Sequence, residues 1–270
     1  MKRINDISSY QDYKKAKFKN TLFVLLIQIT ILISFFIAWE LSARFGLINE
    51  FLISKPSAII KLFVEYISSN NLLRHIYISL LETLLGLIIG TIIGFIIATI
   101  LYLFPVLSKI LDPYLVVLNA LPKTALAPIL IIWAGTNIKG IVVVSISLSL
   151  VITIISALSY FNSVDSNLIK MMQVYNASKL KILTKIIYPS NIINIFSIIK
   201  VNIGLSWVGV IVGEFLVSKE GIGYLVVYGG QVFRLDLVMM GVIILSIIAF
   251  IMYEIIAIIE KHFRKNKIHK

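Results

Sequence analysis

The sequence predicts an all-α integral membrane protein with six transmembrane helices and both termini in the cytoplasm. Three observations support this fold class. The 270 residues are 59% hydrophobic and only 14% charged, whereas a soluble domain is about half apolar and about a quarter charged. Apolar runs long enough to cross a bilayer recur along the whole chain. Lysine and arginine gather in alternate loops, which is how cytoplasmic segments are marked.

The elements follow in order. After a tail at 1–20, Leu22 to Trp39 is an uncharged run of span length with no small-residue cleavage pattern after it, so it stays as the first helix. The outer segment from Arg44 to Arg74 contains "KPSAIIKLFVEYI", read as a short amphipathic helix at the interface. Span two, Leu80 to Phe104, carries Glu82 near its start and Gly86, Gly90 and Gly94 at every fourth position. That repeat puts the three glycines on one face, where a second helix can approach closely. Span three, Pro113 to Ala134, is interrupted by Pro122, Lys123 and Pro128 and is expected to bend or break. Span four is the uncharged Gly140 to Phe161, and a loop at 162–190 follows. Span five, Ile192 to Val217, holds Lys200 and Glu214; span six is Leu237 to Ile259, with Glu254. One transmembrane domain at 21–260 is thus bounded by the first tail and a basic tail at 261–270.

Orientation comes from the basic residues. Lys2, Arg3, Lys14, Lys15, Lys17 and Lys19 precede span one, and Lys261, Arg264, Lys265, Lys267 and Lys270 follow span six. Lys109 lies after span two, and Lys170, Lys179, Lys181 and Lys185 lie between spans four and five. The other side has fewer: Arg44, Lys55, Lys61, Arg74, Lys139, Lys219 and Arg234.

Several functions are excluded by what the sequence lacks. There is no cysteine, hence no disulfide framework and no thiolate metal site. His75, His262 and His269 are too scattered for a metal centre, and there is no H-E-x-x-H. No G-x-x-x-x-G-K-[ST] occurs, so the chain binds no nucleotide in the P-loop manner. Catalytic residues are not expected. The formal net charge of +12, set beside apolar spans, reads as membrane orientation and not as nucleic-acid binding. Asn176-Ala177-Ser178 matches a glycosylation pattern, but on the expected cytoplasmic side it is chance.

Two sets of residues remain. The first is "VYNASKLKILTKIIYPS", Val174 to Ser190, in which Leu180, Leu183, Ile186 and Ile187 recur at helical spacing while Lys179, Lys181 and Lys185 take the rest of the surface. From periodicity alone, a helix lying on the inner leaflet and a docking helix stand level. The second set is polar groups inside spans: Lys123, Lys200, Asn202, Ser206, Trp207 and Glu214. Intramembrane charge is costly and marks a candidate translocation path. For Lys200, roughly three turns beyond Pro189, snorkelling to the inner interface is the competing reading; for Glu214, a loop anchor competes with a gate.

The first stretch resembles the cytoplasmic loop of importer-type ABC transporter permeases, whose signature is E-A-A, three residues, Gly, nine residues, Ile, one residue, Leu-Pro. With Asn176 at the Gly, Ile186 falls on the Ile, Tyr188 on the Leu and Pro189 on the Pro, while Lys170, Met171 and Met172 replace the E-A-A. Asparagine is the next-best residue where a left-handed turn is needed. "LDPYLVVLNALPKTALAPILIIWAG", "VGEFLVSKEGIGYLV", "SKPSAII" and "RHIYISLLETLLGLIIG" resemble corresponding segments of the nitrate, sulfonate and taurine permeases. The similarity spans Ala38 to Glu260.

The resemblance implies a permease subunit of an ATP-driven importer in the cytoplasmic membrane. Its expected partners are cytoplasmic ABC ATPase subunits that hold ATP and magnesium, an extracytoplasmic solute-binding protein, and a second permease copy in a homodimer. No cofactor is expected on this chain. Asn176, Ala177, Ser178, Lys179, Leu180, Leu183, Ile186 and Pro189 would couple to the ATPase. The cargo would be a small anion such as a sulfonate, taurine or nitrate, or alternatively a vitamin precursor. An ion-gradient-driven transporter is the competing reading, against which stand the absence of clear inverted repeats and of a mid-membrane acidic cluster.

Overall fold

The structure is a computed structural model and describes residues 10–49, 53–69 and 71–268. Lys2, Arg3, His269 and Lys270 lie outside the described residues. The described chain is helical and contains no strand: α1 (Tyr10–Arg44), α2 (Pro56–Ser68), α3 (Asn71–Leu103), α4 (Pro105–Ala120), α5 (Lys123–Ala134), α6 (Ile138–Asn162), α7 (Ser166–Val174), α8 (Lys179–Ile182), a π-helical turn (Leu183–Ile187), α9 (Tyr188–Ser190), α10 (Ile192–Val217), α11 (Ile222–Gln231) and α12 (Leu235–Ile268). Helix is the expected answer in lipid, where no water satisfies a backbone N–H or C=O. Five helices are long and apolar enough to cross a membrane, and the bent pair α4–α5 makes a sixth span if counted as one.

The chain divides into two compact units, Met1–Val64 and Glu65–Lys270. In the first, α1 carries an apolar run of span length, and its Glu40 caps α2. The Glu40 carboxylate accepts from Ser57 N at 3.0 Å and from Ser57 Oγ at 2.9 Å, while the Trp39 indole donates to Ser54 O at 3.2 Å. The expected interfacial helix is present as α2.

The second unit is built on α3, α6 and α10. Small residues let these helices touch backbone to backbone. Gly86, Gly90 and Gly94 of α3 lie against Ser145, Ser149 and Thr153 of α6; a Cβ on Gly94 would stand 2.6 Å from Thr153 Cβ. Running antiparallel to α6, α10 also comes up to Ser145, where a Cβ on Gly209 would stand 2.5 Å from Ser145 Cα. Ser145 is therefore clasped between two glycines, and its Oγ donates to Ser206 O at 3.2 Å.

The start of span two is corrected, while the expected break in span three is present. Span two starts earlier than Leu80, because α3 begins at Asn71; Arg74 and His75 therefore sit on a helix and not in a loop. Span three is two helices bent by 99°. Leu121 is forced into extended backbone ahead of Pro122 (φ −62°, ψ 138°), and Pro122 has no N–H with which to continue the ladder. Between spans five and six the segment after Gly221 forms a further helix, α11; its run is short, and the glycines around it hide it in the sequence.

The clasp at Ser145 is testable by thermal unfolding of the detergent-solubilised protein. Gly209→Leu should cost at least about 1–3 kcal/mol, as overpacking against immovable backbone does. Gly204→Ala, where a Cβ meets nothing within 4 Å, should be neutral or gain up to about 1 kcal/mol of helix propensity. Equal stability of the two variants would refute the close approach.

Candidate functional site

The loop between α6 and α10 folds into a helix–turn–helix for local reasons. Asp165 caps α7, its Oδ1 accepting from Asn167 N at 2.8 Å. At the far end Asn176 adopts φ 55°. Around it, Asn176 N donates to Gln173 O and Ala177 N to Met172 O, the paired bonds that close a helix through a left-handed residue. Asparagine tolerates this conformation better than other side chains with a Cβ, which is why it can stand in for glycine. Ser178 then caps α8, accepting from Lys181 N at 3.3 Å. Pro189 lacks an N–H for the carbonyl of Lys185, and the chain widens into the π-helical turn just before it, with Tyr188 N reaching back to Leu183 O.

The two faces of this segment differ. Leu183 is 3% exposed and Ile187 0%, both packed on Ala98 of α3, Ala157 and Phe161 of α6 and Ile198 of α10. Tyr188 adds a hydroxyl contact of 2.6 Å with Thr99 and an edge-on ring contact with Phe161. Facing away from the bundle, Val174 is 80% exposed, Tyr175 78% and Leu180 61%; Asn176, Ser178, Lys179, Lys181, Lys185 and Pro189 are also exposed. The expected apolar stripe is thereby corrected. Leu183 and Ile187 anchor the segment to its own bundle, Ile186 is half-buried, and Leu180 alone of the stripe points outward. Val174 and Tyr175, with Met171 one turn and Leu168 two turns before, complete the exposed apolar edge. Their spacing on α7 was the available signal.

The polar residues inside spans are brought together, but within the bundle. Asn202 is fully buried, its Nδ2 donating to Thr91 Oγ1 at 2.9 Å and to Thr153 Oγ1 at 2.7 Å. Ser206 is buried beside Ser145, and Trp207 Nε1 points to Met252 Sδ at 3.3 Å. Glu214 is buried and held by Ser79 Oγ at 2.5 Å and Gly223 N at 2.6 Å. The structure thus places Asn202, Ser206, Trp207 and Glu214 in helix packing and not along an open path. Lys200 Nζ pairs with Glu260 Oε2 of α12 at 2.6 Å and lies over the Tyr253 ring. Lys123 Nζ donates to Asn119 O at 3.2 Å, closing the C-terminal end of α4, where helix carbonyls favour a cation. Among the described residues no group of acidic, histidine or cysteine side chains is placed to hold a metal.

Comparison with known proteins gives this arrangement its context. Residues 90–265 match the family model described as "Binding-protein-dependent transport system inner membrane component". The chain belongs to this family. It is 25% identical to a putative aliphatic sulfonates transport permease protein of Bacillus subtilis, over 84% of this chain and 82% of that one. It is 22% identical to the taurine transport system permease protein of Escherichia coli, over 79% and 80%, and 27% identical to the riboflavin transport system permease protein of Chloroflexus aurantiacus, over 83% and 83%. The protein is thus a multi-pass membrane permease subunit, a transport component and not an enzyme.

Within this permease, Lys200 has a partner that sequence reasoning missed, since Glu260 is a neighbour in space only. Its side chain is 18% exposed and that of Glu260 15%, so removing one partner strands the other charge. Lys200→Met and Glu260→Gln should each destabilise the permease, and the double variant should recover most of the loss. A double-mutant cycle on thermal stability should return a coupling of about 1–3 kcal/mol. A coupling near zero would leave Lys200 free for a role along the transport route.

Proposed function

We propose that this permease works in an ATP-driven importer and that the segment from Leu168 to Tyr188 is where a cytoplasmic ATPase subunit grips it. The observation that supports this reading most directly is the two-sidedness of the segment. One edge presents Val174, Tyr175 and Leu180 to the outside, while the other keys into three long helices through Leu183, Ile187 and Tyr188. A helix resting on the inner leaflet needs only the first of these features. Exposed apolar knobs ringed by Lys170, Lys179, Lys181 and Lys185 suit a protein groove with an acidic rim, where charge governs register and on-rate more than affinity. Closure of two ATPases on bound ATP and magnesium would then move α3, α6 and α10 through this handle. The same reading places both termini and this loop in the cytoplasm, with a solute-binding protein on the opposite face and a second copy of the chain completing the pathway.

For cargo, we propose a small organic solute delivered by the binding protein, with a sulfonate as the first candidate because sulfonate and taurine permeases are among the relatives. A vitamin-like cargo is the second reading. It is favoured by the ion pair that neutralises Lys200, which removes one of the two lysines expected to attract an anion.

Reconstituted transporter separates these readings. Leu180→Asp should lower uptake about tenfold or more and release the ATPase on co-purification, because a charge is placed at the centre of a buried contact. Leu183→Asp should instead yield little folded permease, and Lys179→Ala or Lys181→Ala should be mild. Undiminished co-purification of the ATPase with Leu180→Asp would end the docking assignment. Uptake that resists vanadate and collapses with the ion gradient would end the ATP-driven one.

A further inference from the structure

At the end of α10 away from the docking segment, the chain turns sharply through Gly221, at φ 106°, into α11. Few groups hold this turn. Gly221 N donates to His75 Nδ1 at 2.9 Å, Ile222 N donates to Ser79 Oγ at 2.8 Å, and Gly223 N donates to Glu214 Oε2 at 2.6 Å. Ser79 Oγ in turn donates to Glu214 Oε1 at 2.5 Å. One buried side chain of α10 therefore joins α3 to the head of α11, with donors aimed at both of its oxygens.

Glu82 lies three residues beyond Ser79 on α3, one turn along the same side of the helix, and is 1% exposed beside the Glu214 carboxyl that Ser79 holds. Its Oε2 is offered no donor by any surrounding group. Two carboxyl groups can be hydrogen-bonded only if one carries an O–H. Glu214 already accepts from Ser79 on one oxygen and from Gly223 on the other, so a shared hydroxyl falls to Glu82.

We propose that Glu82 is a positioning residue whose carboxyl O–H donates to Glu214 and completes the clamp that fastens the α10–α11 turn to α3. The two glutamates are then chemically unequal although they lie side by side. Glu82 needs only to donate, which a glutamine amide N–H also does. Glu214 must accept from several directions, which an amide cannot, because its NH₂ would face donors. The nearby titratable groups are accounted for: His75 is an acceptor for Gly221 and stacks on Tyr224, and Arg74 pairs with Glu220 at the rim of the turn.

The test is hydrogen exchange, read by mass spectrometry on the peptide spanning 218–226 in the intact transporter complex, together with uptake. It requires no knowledge of the cargo, and its failure would leave the importer reading untouched. Glu82→Gln should keep both slow exchange and wild-type uptake. Glu82→Leu, which fills the space without a donor, and Glu214→Gln should each speed exchange of the Gly221, Ile222 and Gly223 amides about tenfold or more, as loss of a local clamp does. Exchange in Glu82→Gln as fast as in Glu82→Leu would overturn the proposal, pointing to two carboxylates bridged by a cation. Exchange in Glu82→Leu as slow as in wild type would overturn it as well, since Glu82 would then play no part in the clamp.

Discussion

Everything in the second unit depends on how closely α3 and α10 approach the backbone of α6 at Ser145. In lipid the hydrophobic effect does not press helices together, so the contact must come from surface match and from hydrogen bonds across the interface. Gly86 and Gly209 supply the match, since either would collide with Ser145 if it carried a side chain. The hydroxyl of Ser145 supplies the bond, to the carbonyl of Ser206. One and two turns further along α6 the close approach of a glycine repeats at Ser149 and Thr153, and Asn202 pins α10 to Thr91 of α3 and Thr153 of α6 at once. Three helices are held together at several heights in this way.

That joining gives meaning to the loop between α6 and α10. Leu183 and Ile187 do not touch one helix but a cluster formed by Ala98, Ala157, Phe161 and Ile198, one or two residues from each of α3, α6 and α10. The exposed edge at Leu180 and Tyr175 is therefore joined through this segment to all three helices. The turn at Asn176 and the widening before Pro189 are departures from regular helix, and both lie within this segment. They let a short piece of chain cross the ends of the bundle without leaving backbone groups unpaired.

How much of this was legible in the sequence varied with the physical question. Gly86, Gly90 and Gly94 announced a packing face because spacing alone puts them on one side of a helix, and the left-handed turn at Asn176 could be inferred from its place in a spaced signature. The six-span count followed from hydropathy, with the break at Pro122 visible in the proline itself. What could not be read was direction. A stripe such as Leu180, Leu183, Ile186 and Ile187 tells which residues share a face, but inside a chain that is apolar nearly everywhere it does not tell whether that face meets its own bundle or a partner. The same ambiguity led Asn202, Ser206 and Trp207 towards a pathway. Polar groups in a membrane seek partners, and for Asn202 Nδ2 and Trp207 Nε1 these lie on neighbouring helices more than forty residues away in sequence, while Asn202 Oδ1 and Ser206 Oγ stay buried without one.

The ionic groups carry the same lesson further. A lysine within a span invites the idea of a charged route for anions, yet Lys200 finds Glu260 and Lys123 finds the carbonyl end of α4. Each is explained by what it holds in place. On α10 the face turned away from the bundle consists of Val201, Gly204, Val208 and Phe215, all exposed and all apolar or small. A surface of that kind offers a solute little to recognise by charge.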